Sequence, residues 1–357
     1  MGNRSICIVT GAAGFLGSTL SGMLLSDGFR VRALVHNEKN AANVPAGAEI
    51  FVGDVLDPAS LEALFAAPSD RSSVPAPSLP GENDPSFLFF HAAAHLSVTK
   101  KDPECYEATV TGTKNVIAAC RAHGAKLIYF GSVDALENPG DGRLIAEPGR
   151  FHLEDPGSDY ARSKADAGNL VLDAASEGLD ARVILPSCLI GPGDRKGGFV
   201  TFMLKSFLKF RPRVSFRGGY DFADVRDAAR GAILSAGRGE RGGIYILSGK
   251  YVSITELFNG INELKGRKKI TVTLPTGLLY AAAPFVNLAN RLQGKRKILT
   301  ANALKLLRTG AAFSHEKAAR ELGYTARPFE ETLQDTLKDL ESETKEDHHG
   351  NGPRSRT

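Results

Sequence analysis

The sequence predicts an α/β fold, a doubly wound parallel sheet with a smaller C-terminal lobe. Three observations predict it. From Ser5 onward, short β-branched runs alternate with helix-length amphipathic segments. Those runs are almost continuously apolar, the pattern of strands covered on both faces. The first of them ends directly in a glycine-rich turn that leads into a helix. A chain of 357 residues, 42% apolar and 24% charged, is long enough to bury the core such a fold needs.

Strands are expected at Ile6–Thr10, Val31–Val35, Ile50–Val52, Phe87–His91, Leu127–Phe130 and Arg182–Leu185. Helices are expected between them at Leu16–Asp27, Ser60–Phe65, Thr109–His123 and Ser158–Glu177. The Pro-, Ser- and Gly-rich stretch 68–86 breaks the rhythm and reads as a surface insertion before the fourth strand. The nucleotide-binding domain is therefore placed at 1–186. A substrate lobe at 187–340 is partly interleaved with it, and a polar, disordered tail occupies 341–357.

Composition excludes several classes. The net charge of +4 is mild, and the basic residues lie in short local clusters, Arg267-Lys268-Lys269 and Lys295-Arg296-Lys297, which argues against a nucleic-acid partner. Four cysteines without a CxxC pair support neither a metal site nor a disulfide framework, and fit a reducing cytoplasm. No signal peptide is read at the N-terminus. The longest apolar stretch, 278–292, is broken by Pro284, Asn287, Asn290 and Arg291, so no integral membrane segment is expected. It reads as a lobe helix, with a helix lying on a membrane surface as the alternative.

The turn after the first strand runs Thr10-Gly11-Ala12-Ala13-Gly14-Phe15-Leu16-Gly17. Strand, glycine turn and helix N-terminus together form a pyrophosphate cradle of the Rossmann type. The turn lets backbone approach the anion closely, exposed N–H groups and the helix dipole stabilise it, and Gly17 permits tight helix–sheet packing. The cofactor contacts are thus expected from Gly11, Ala13, Gly14, Phe15, Leu16 and Gly17. The spacing is GxxGxxG, and glycine triplets occur in turns for steric reasons alone, so the βαβ setting carries the argument. The second strand ends without a carboxylate, in Val35-His36-Asn37-Glu38-Lys39. His36, with Arg32 and Lys39 nearby, favours NADP(H) over NAD(H), although Glu38 could fold back. Asp54, followed by Val55, is placed to accept from the adenine amino group, with an ordinary turn or a helix cap at Asp57 as the alternative.

Of eight tyrosines, only Tyr160 has a lysine four residues later, Lys164, on the same face of a helix. Carbonyl reduction needs a proton donor at the nascent alkoxide. A phenol near pKa ~10 is poorly matched to neutral pH unless an ammonium stabilises its phenolate. Ser132 follows the strand ending Tyr129-Phe130-Gly131, at the carboxyl edge where α/β ligands bind, and its hydroxyl could steady an oxyanion.

With these motifs in order (TGAAGFLG, GDVLD, HAAAH, FGSVDAL, YARSK and PSCLIGPGD), the sequence resembles the extended short-chain dehydrogenase/reductase superfamily from about Ser5 to Leu340. FADVRDA and FSHEKAARELGY are similar to segments of its dihydroflavonol-reductase-like and aldehyde-reductase-like branch. The resemblance implies a Ser132–Tyr160–Lys164 triad. It implies that Ala92, Ala93 and Ala94 line the cofactor, that Pro186 and Leu189 lie against the nicotinamide, and that a homodimer forms through two helices flanking the sheet. Departures are Thr109, where Asn is common, and Leu185, where Arg is frequent before Pro186.

The activity expected is hydride transfer between NADP(H) and a small-molecule alcohol, ketone or aldehyde. A nucleotide-sugar epimerase or dehydratase is the alternative. It would want an additional acid/base pair beside Tyr160 and a nucleotide-binding lobe with a diphosphate-binding Arg; no Thr/Asp/Glu dehydratase signature surrounds Ser132, Val133-Asp134 being the nearest approach to one. A 3β-hydroxysteroid-dehydrogenase-like enzyme is a second alternative, and a cofactor-binding sensor without turnover a third. His91 and His95 read as core or supporting histidines, Cys188 as a packed thiol, and Asp227 as a brace of the lobe.

Overall fold

The computed structural model describes residues 5–66, 86–95, 101–279, 283 and 310–350, with side chains to 343. The insertion expected at 68–86 and most of the apolar stretch 278–292 lie outside the described residues.

Seven parallel strands form the central sheet, in the order β3-β2-β1-β4-β5-β6-β10. They are β1 (Ile6–Thr10), β2 (Arg30–Val35), β3 (Glu49–Val52), β4 (Phe87–His91), β5 (Lys126–Phe130), β6 (Ala181–Pro186) and β10 (Ile244–Leu247). All six pairings are parallel. β1 lies inside the sheet, between β2 and β4, and shows why the sheet is wound on both sides. Its Ile6 and Ile8 enter one core with Leu61, Val116 and Val171, while Cys7 and Val9 enter the opposite core with Leu20, Leu24 and Ala232. The period-2 alternation of a strand thus feeds two helical layers.

One layer holds α2 (Pro58–Ala63), α3 (Pro103–Ala122) and α4 (Asp159–Ser176). The other holds α1 (Phe15–Ser26), α6 (Val225–Arg238) and α8 (Glu316–Leu322). Local chemistry sets several helix starts. Asp57 accepts from Ala59 N and Ser60 N before Pro58-led α2, and Ser158 Oγ accepts from Ala161 N at α4. Helix α3 begins at Pro103 rather than Thr109 because Asp102 caps it through Cys105 N.

The lobe is built around β7 (Cys188–Ile190), α5 (Phe199–Phe210), β8 (Val214–Phe216), β9 (Gly219–Asp224), β11 (Lys250–Ser253), α7 (Ile254–Leu264), β12 (Val272–Leu274) and α9 (Phe329–Gly350). Its small sheets run β11-β9-β7 and β12-β8. Leu204, Phe207, Phe222, Leu257, Ile261 and Leu333 share its core.

Within the stretch expected to be a lobe partly interleaved with the sheet domain, β10 completes the central sheet and α6 packs in the α1 layer. The tail expected to be disordered from 341 is helical through Gly350. Its first charges find partners, Glu341 on Lys265 and Glu343 on Arg195 and Lys205.

Candidate active site

The parallel register sets Thr10, His91 and Tyr129 side by side on β1, β4 and β5. The glycine turn, the alanine run and Ser132 therefore all emerge from the same carboxyl edge. Gly11 takes φ +68°, and a Cβ there would lie 2.6 Å from Ala92 O. At Gly17 a Cβ would fall 2.1 Å from Gly11 O, so only glycine lets α1 sit this close to the turn. Gly14 N donates to Gly11 O at 2.8 Å and caps α1 without a side-chain acceptor, and no acidic residue occupies the first turn. Ala13 is buried, and Phe15 and Leu16 are half-buried in that turn. An uncapped helix N-terminus beside a backbone-only turn is a fit for a pyrophosphate.

Behind this cradle, Thr10 Oγ1 bonds His91 Nδ1 at 2.8 Å and accepts from Ala93 N at 3.2 Å, while His91 Nε2 meets Thr113 Oγ1 at 3.3 Å. Burial, with Lys164 nearby, lowers the pKa of His91 to about 3. It is a neutral positioning group that ties three elements together. Ala92 and Ala93 are half-buried, and Ala94 is exposed.

At the cradle's far end, Asp54 accepts from Leu56 N at 3.0 Å and faces His36 Nδ1 at 3.4 Å. Val55 packs under Gly112, where a Cβ would come within 2.7 Å of it. Asn115, which sequence reasoning missed, holds this loop by donating to Val55 O and Leu56 O. Arg32 requires a correction. It is fully buried, not directed to the cofactor: its guanidinium donates to Leu64 O and Ala66 O beyond α2 and to Glu49. Those carbonyls are orphans of the helix end, and Arg32 satisfies them. His36 and Lys39 remain exposed at the tip of β2.

The structure brings Ser132 and Tyr160 together. Tyr160 is half-buried in the first turn of α4, which packs against the turn that follows Ser132, and the buried Ser132 hydroxyl accepts from Asp134 N at 3.2 Å. Lys164, one turn along, is buried and donates to Phe130 O at 2.7 Å, with its ammonium 5.1 Å from the Tyr129 ring centroid. Burial lowers the pKa of Lys164 to about 8. The phenol is pushed up rather than down, first by burial and then by Asp134, while the Ser132 hydroxyl opposes this. The lowering expected from the lysine is thus outweighed in this arrangement, because the ammonium is aimed at the Phe130 carbonyl.

Asp134 lies in the short turn Val133–Ala135, its backbone N–H donating to Ser132 Oγ and its carboxyl pushed up by burial. Its charge in turn raises the Tyr160, Cys188 and Tyr220 groups. Pro186 is buried at the end of β6, and Leu189 is half-buried in β7. The Cys188 thiol is pushed up to about 12 by burial, which makes it inert, as expected of a packed thiol. Tyr220 packs edge-on against Phe199 at 5.8 Å. Asp227 braces the lobe by accepting from Arg327 Nε at 2.9 Å and Arg327 N at 2.8 Å.

Known proteins agree with this architecture. The NAD dependent epimerase/dehydratase family matches residues 81–248, and the NmrA-like family matches residues 3–69. The chain is 28% identical to a putative dihydroflavonol 4-reductase of Synechocystis, over 92% of each chain. It is 27% identical to sterol demethylase protein B of Methylococcus capsulatus, over 88% of this chain and 92% of that one. Among solved structures, gox2253 superposes with a TM-score of 0.75 at 29% identity, covering 95% of this chain and 99% of the other. With the glycine cradle, the seven-stranded sheet and these relatives in agreement, the chain is similar along most of its length to the extended short-chain dehydrogenase/reductase superfamily of NAD-dependent epimerases and dehydratases.

Proposed function

We propose that this protein is an NAD(P)-dependent oxidoreductase that moves hydride between the nicotinamide and an alcohol, ketone or aldehyde, with Tyr160 as proton donor and acceptor. The observation that carries the reading is Tyr160 one turn ahead of buried Lys164, on a helix packed against the Ser132 turn at the sheet edge that also bears the glycine cradle. The names of its relatives, a dihydroflavonol 4-reductase and a sterol demethylase protein, support a lipophilic substrate. So do Tyr220 and Phe199 on the lobe.

A bound nicotinamide supplies or accepts the hydride. The chain's own residues do the rest. The pyrophosphate is held by the backbone of Gly11 to Gly17, the adenine side by Asp54 and Val55, and the cofactor wall by Ala92, Ala93, Ala94, Pro186 and Leu189. Ser132 holds the substrate oxygen, and the Tyr160 hydroxyl delivers or removes its proton. Lys164 has three donors, one of which anchors to Phe130 O, and its charge favours phenolate once substrate and cofactor displace water. His36 and Lys39 favour NADP(H) over NAD(H) by offering positive charge at the tip of β2.

Asp134 favours a second reading, an epimerase or dehydratase acting on nucleotide sugars, because it supplies another proton-carrying group beside Tyr160. Titration of the protein with NADPH and NADH, followed by aldehydes and ketones, separates the two. Net oxidation of the reduced cofactor supports the reductase. Tight cofactor binding with no oxidation by any carbonyl would move the assignment to the second reading.

A further inference from the structure

The exposed residues of helix α5 are two phenylalanines, Phe202 and Phe210, and two lysines, Lys205 and Lys209. Phe202 and Phe210 lie eight residues apart, two turns along one face, and Phe210 is 72% exposed. The helix ends at Arg211, whose backbone is left-handed at φ 49°, the one positive φ of a non-glycine residue among the described residues. Immediately beyond, Val214 of β8 pairs in parallel with Val272 of β12, and both are exposed. Leu264, at the end of α7, is exposed as well.

Parallel pairing places the segments that precede the two strands at the same end. Arg211 and Arg213 enter β8 there, and Arg267, Lys268 and Lys269 lead toward β12. Lys209 stands 5.5 Å from the Phe210 ring centroid. Of these six cations, Lys269 pairs with Glu263, and the others have no carboxylate partner among the described residues. Arg267 keeps one buried guanidinium nitrogen without a hydrogen-bond acceptor there. An exposed phenylalanine at the end of the lobe that also carries these mostly uncompensated cations suits one kind of surface: apolar below the level of its anionic groups. A soluble polyanion would satisfy the charges and leave Phe210 in water, whereas an apolar protein groove would leave the cations unpaired.

We infer that the α5/β8/β12 end of the lobe docks on an anionic phospholipid surface, with Phe210 inserted among the acyl chains and Lys209, Arg211, Arg213 and Lys268 on the headgroups. This rests on the lobe surface alone and is independent of the proposed catalysis. It also places the substrate lobe against the phase in which lipophilic substrates collect.

The test is flotation of the full chain with vesicles of phosphatidylcholine, alone or with about one third phosphatidylglycerol. Flotation is expected with the anionic vesicles only, and it should weaken as salt shortens the screening length. Phe210→Ser should reduce binding on the order of tenfold, the effect of losing one buried aromatic. Arg213→Glu with Lys268→Glu should reduce it at least as much, each basic charge contributing about fivefold. All of these positions are exposed, so circular dichroism of the variants should match the parent. The inference is overturned if the parent does not float, if it floats equally on neutral vesicles, or if either variant floats like the parent. Binding to heparin that is as strong in Phe210→Ser as in the parent, without flotation, would assign the patch to a soluble polyanion instead.

Discussion

At the residue scale, the site is governed by what burial does to three titratable groups. His91 is held neutral, the Lys164 ammonium is made easier to deprotonate, and the Tyr160 phenol harder. Lys164 has a lowered pKa, so between about 8 and its ordinary 10.5 the unfolded chain holds a proton that the folded chain has released. Stability therefore rises with pH across that window. Denaturant titrations at pH 7.5 and 9.5 should show a Lys164-dependent gain on the order of 1–3 kcal/mol, absent from Lys164→Met. Equal pH dependence in the two proteins would mean that the lysine is not tuned by burial. Cofactor choice is also argued here. Replacing His36 with Ala should lower NADPH affinity relative to NADH by roughly tenfold, the value of one charge-assisted hydrogen bond. Arg32→Met should leave that ratio unmoved and cost about 3 kcal/mol of stability, because it strips the partner from buried carbonyls. The role of Arg32 was illegible in the sequence. Its acceptors are 32 and 34 residues away and become neighbours only when α2 packs over β2.

At the element scale, the steric demands of the glycine turn were readable from the sequence and the exact contacts were not. Gly17→Ala forces a methyl group onto the Gly11 carbonyl, where no flexible side chain can give way. Loss of cofactor affinity by more than about tenfold, with about 2 kcal/mol of destabilisation, is the expected outcome. Isothermal titration with NADPH and thermal melts check both, and an unchanged dissociation constant would refute the packing argument. Six strands and four helices were legible because their apolar runs and flanking caps are local signals. β10 was not, since four residues between Gly243 and Ser248 carry no period of their own and are a strand only because β6 offers an open edge. Val133-Asp134 is legible in the sequence only as the nearest approach to a dehydratase signature. The influence of Asp134 on Cys188 and Tyr220 depends on the lobe folding back over the sheet edge.

For the whole molecule, the question is how a sheet domain and a discontinuous lobe hold one cleft. The chain crosses between them repeatedly, and the crossing before α9 is fastened by Arg327. Its guanidinium binds Asp227 at the start of α6 and comes within 3.4 Å of Asp224, while Arg226 joins Asp224 to Asp335. Arg327→Met should cost about 2–4 kcal/mol, because it leaves buried carboxylates short of a partner. It should also raise KM more than it lowers kcat, since it loosens the lobe without touching Tyr160. Strand periodicity fades after residue 186, and the chain returns to its sheet at residue 244 through tertiary pairing with β6.

The most direct test of the account is deuteride transfer. The protein would be supplied with NADPH carrying deuterium at the nicotinamide C4 and an aldehyde or ketone, and the product examined by mass spectrometry for the parent and for Tyr160→Phe. Deuterium on the carbinol carbon is expected with the parent. In Tyr160→Phe its appearance should slow by 100-fold or more, roughly the contribution of a positioned general acid, while cofactor binding is retained. Undiminished transfer in Tyr160→Phe would contradict the account, as would a protein that binds cofactor, converts nucleotide sugars and leaves every carbonyl unlabelled.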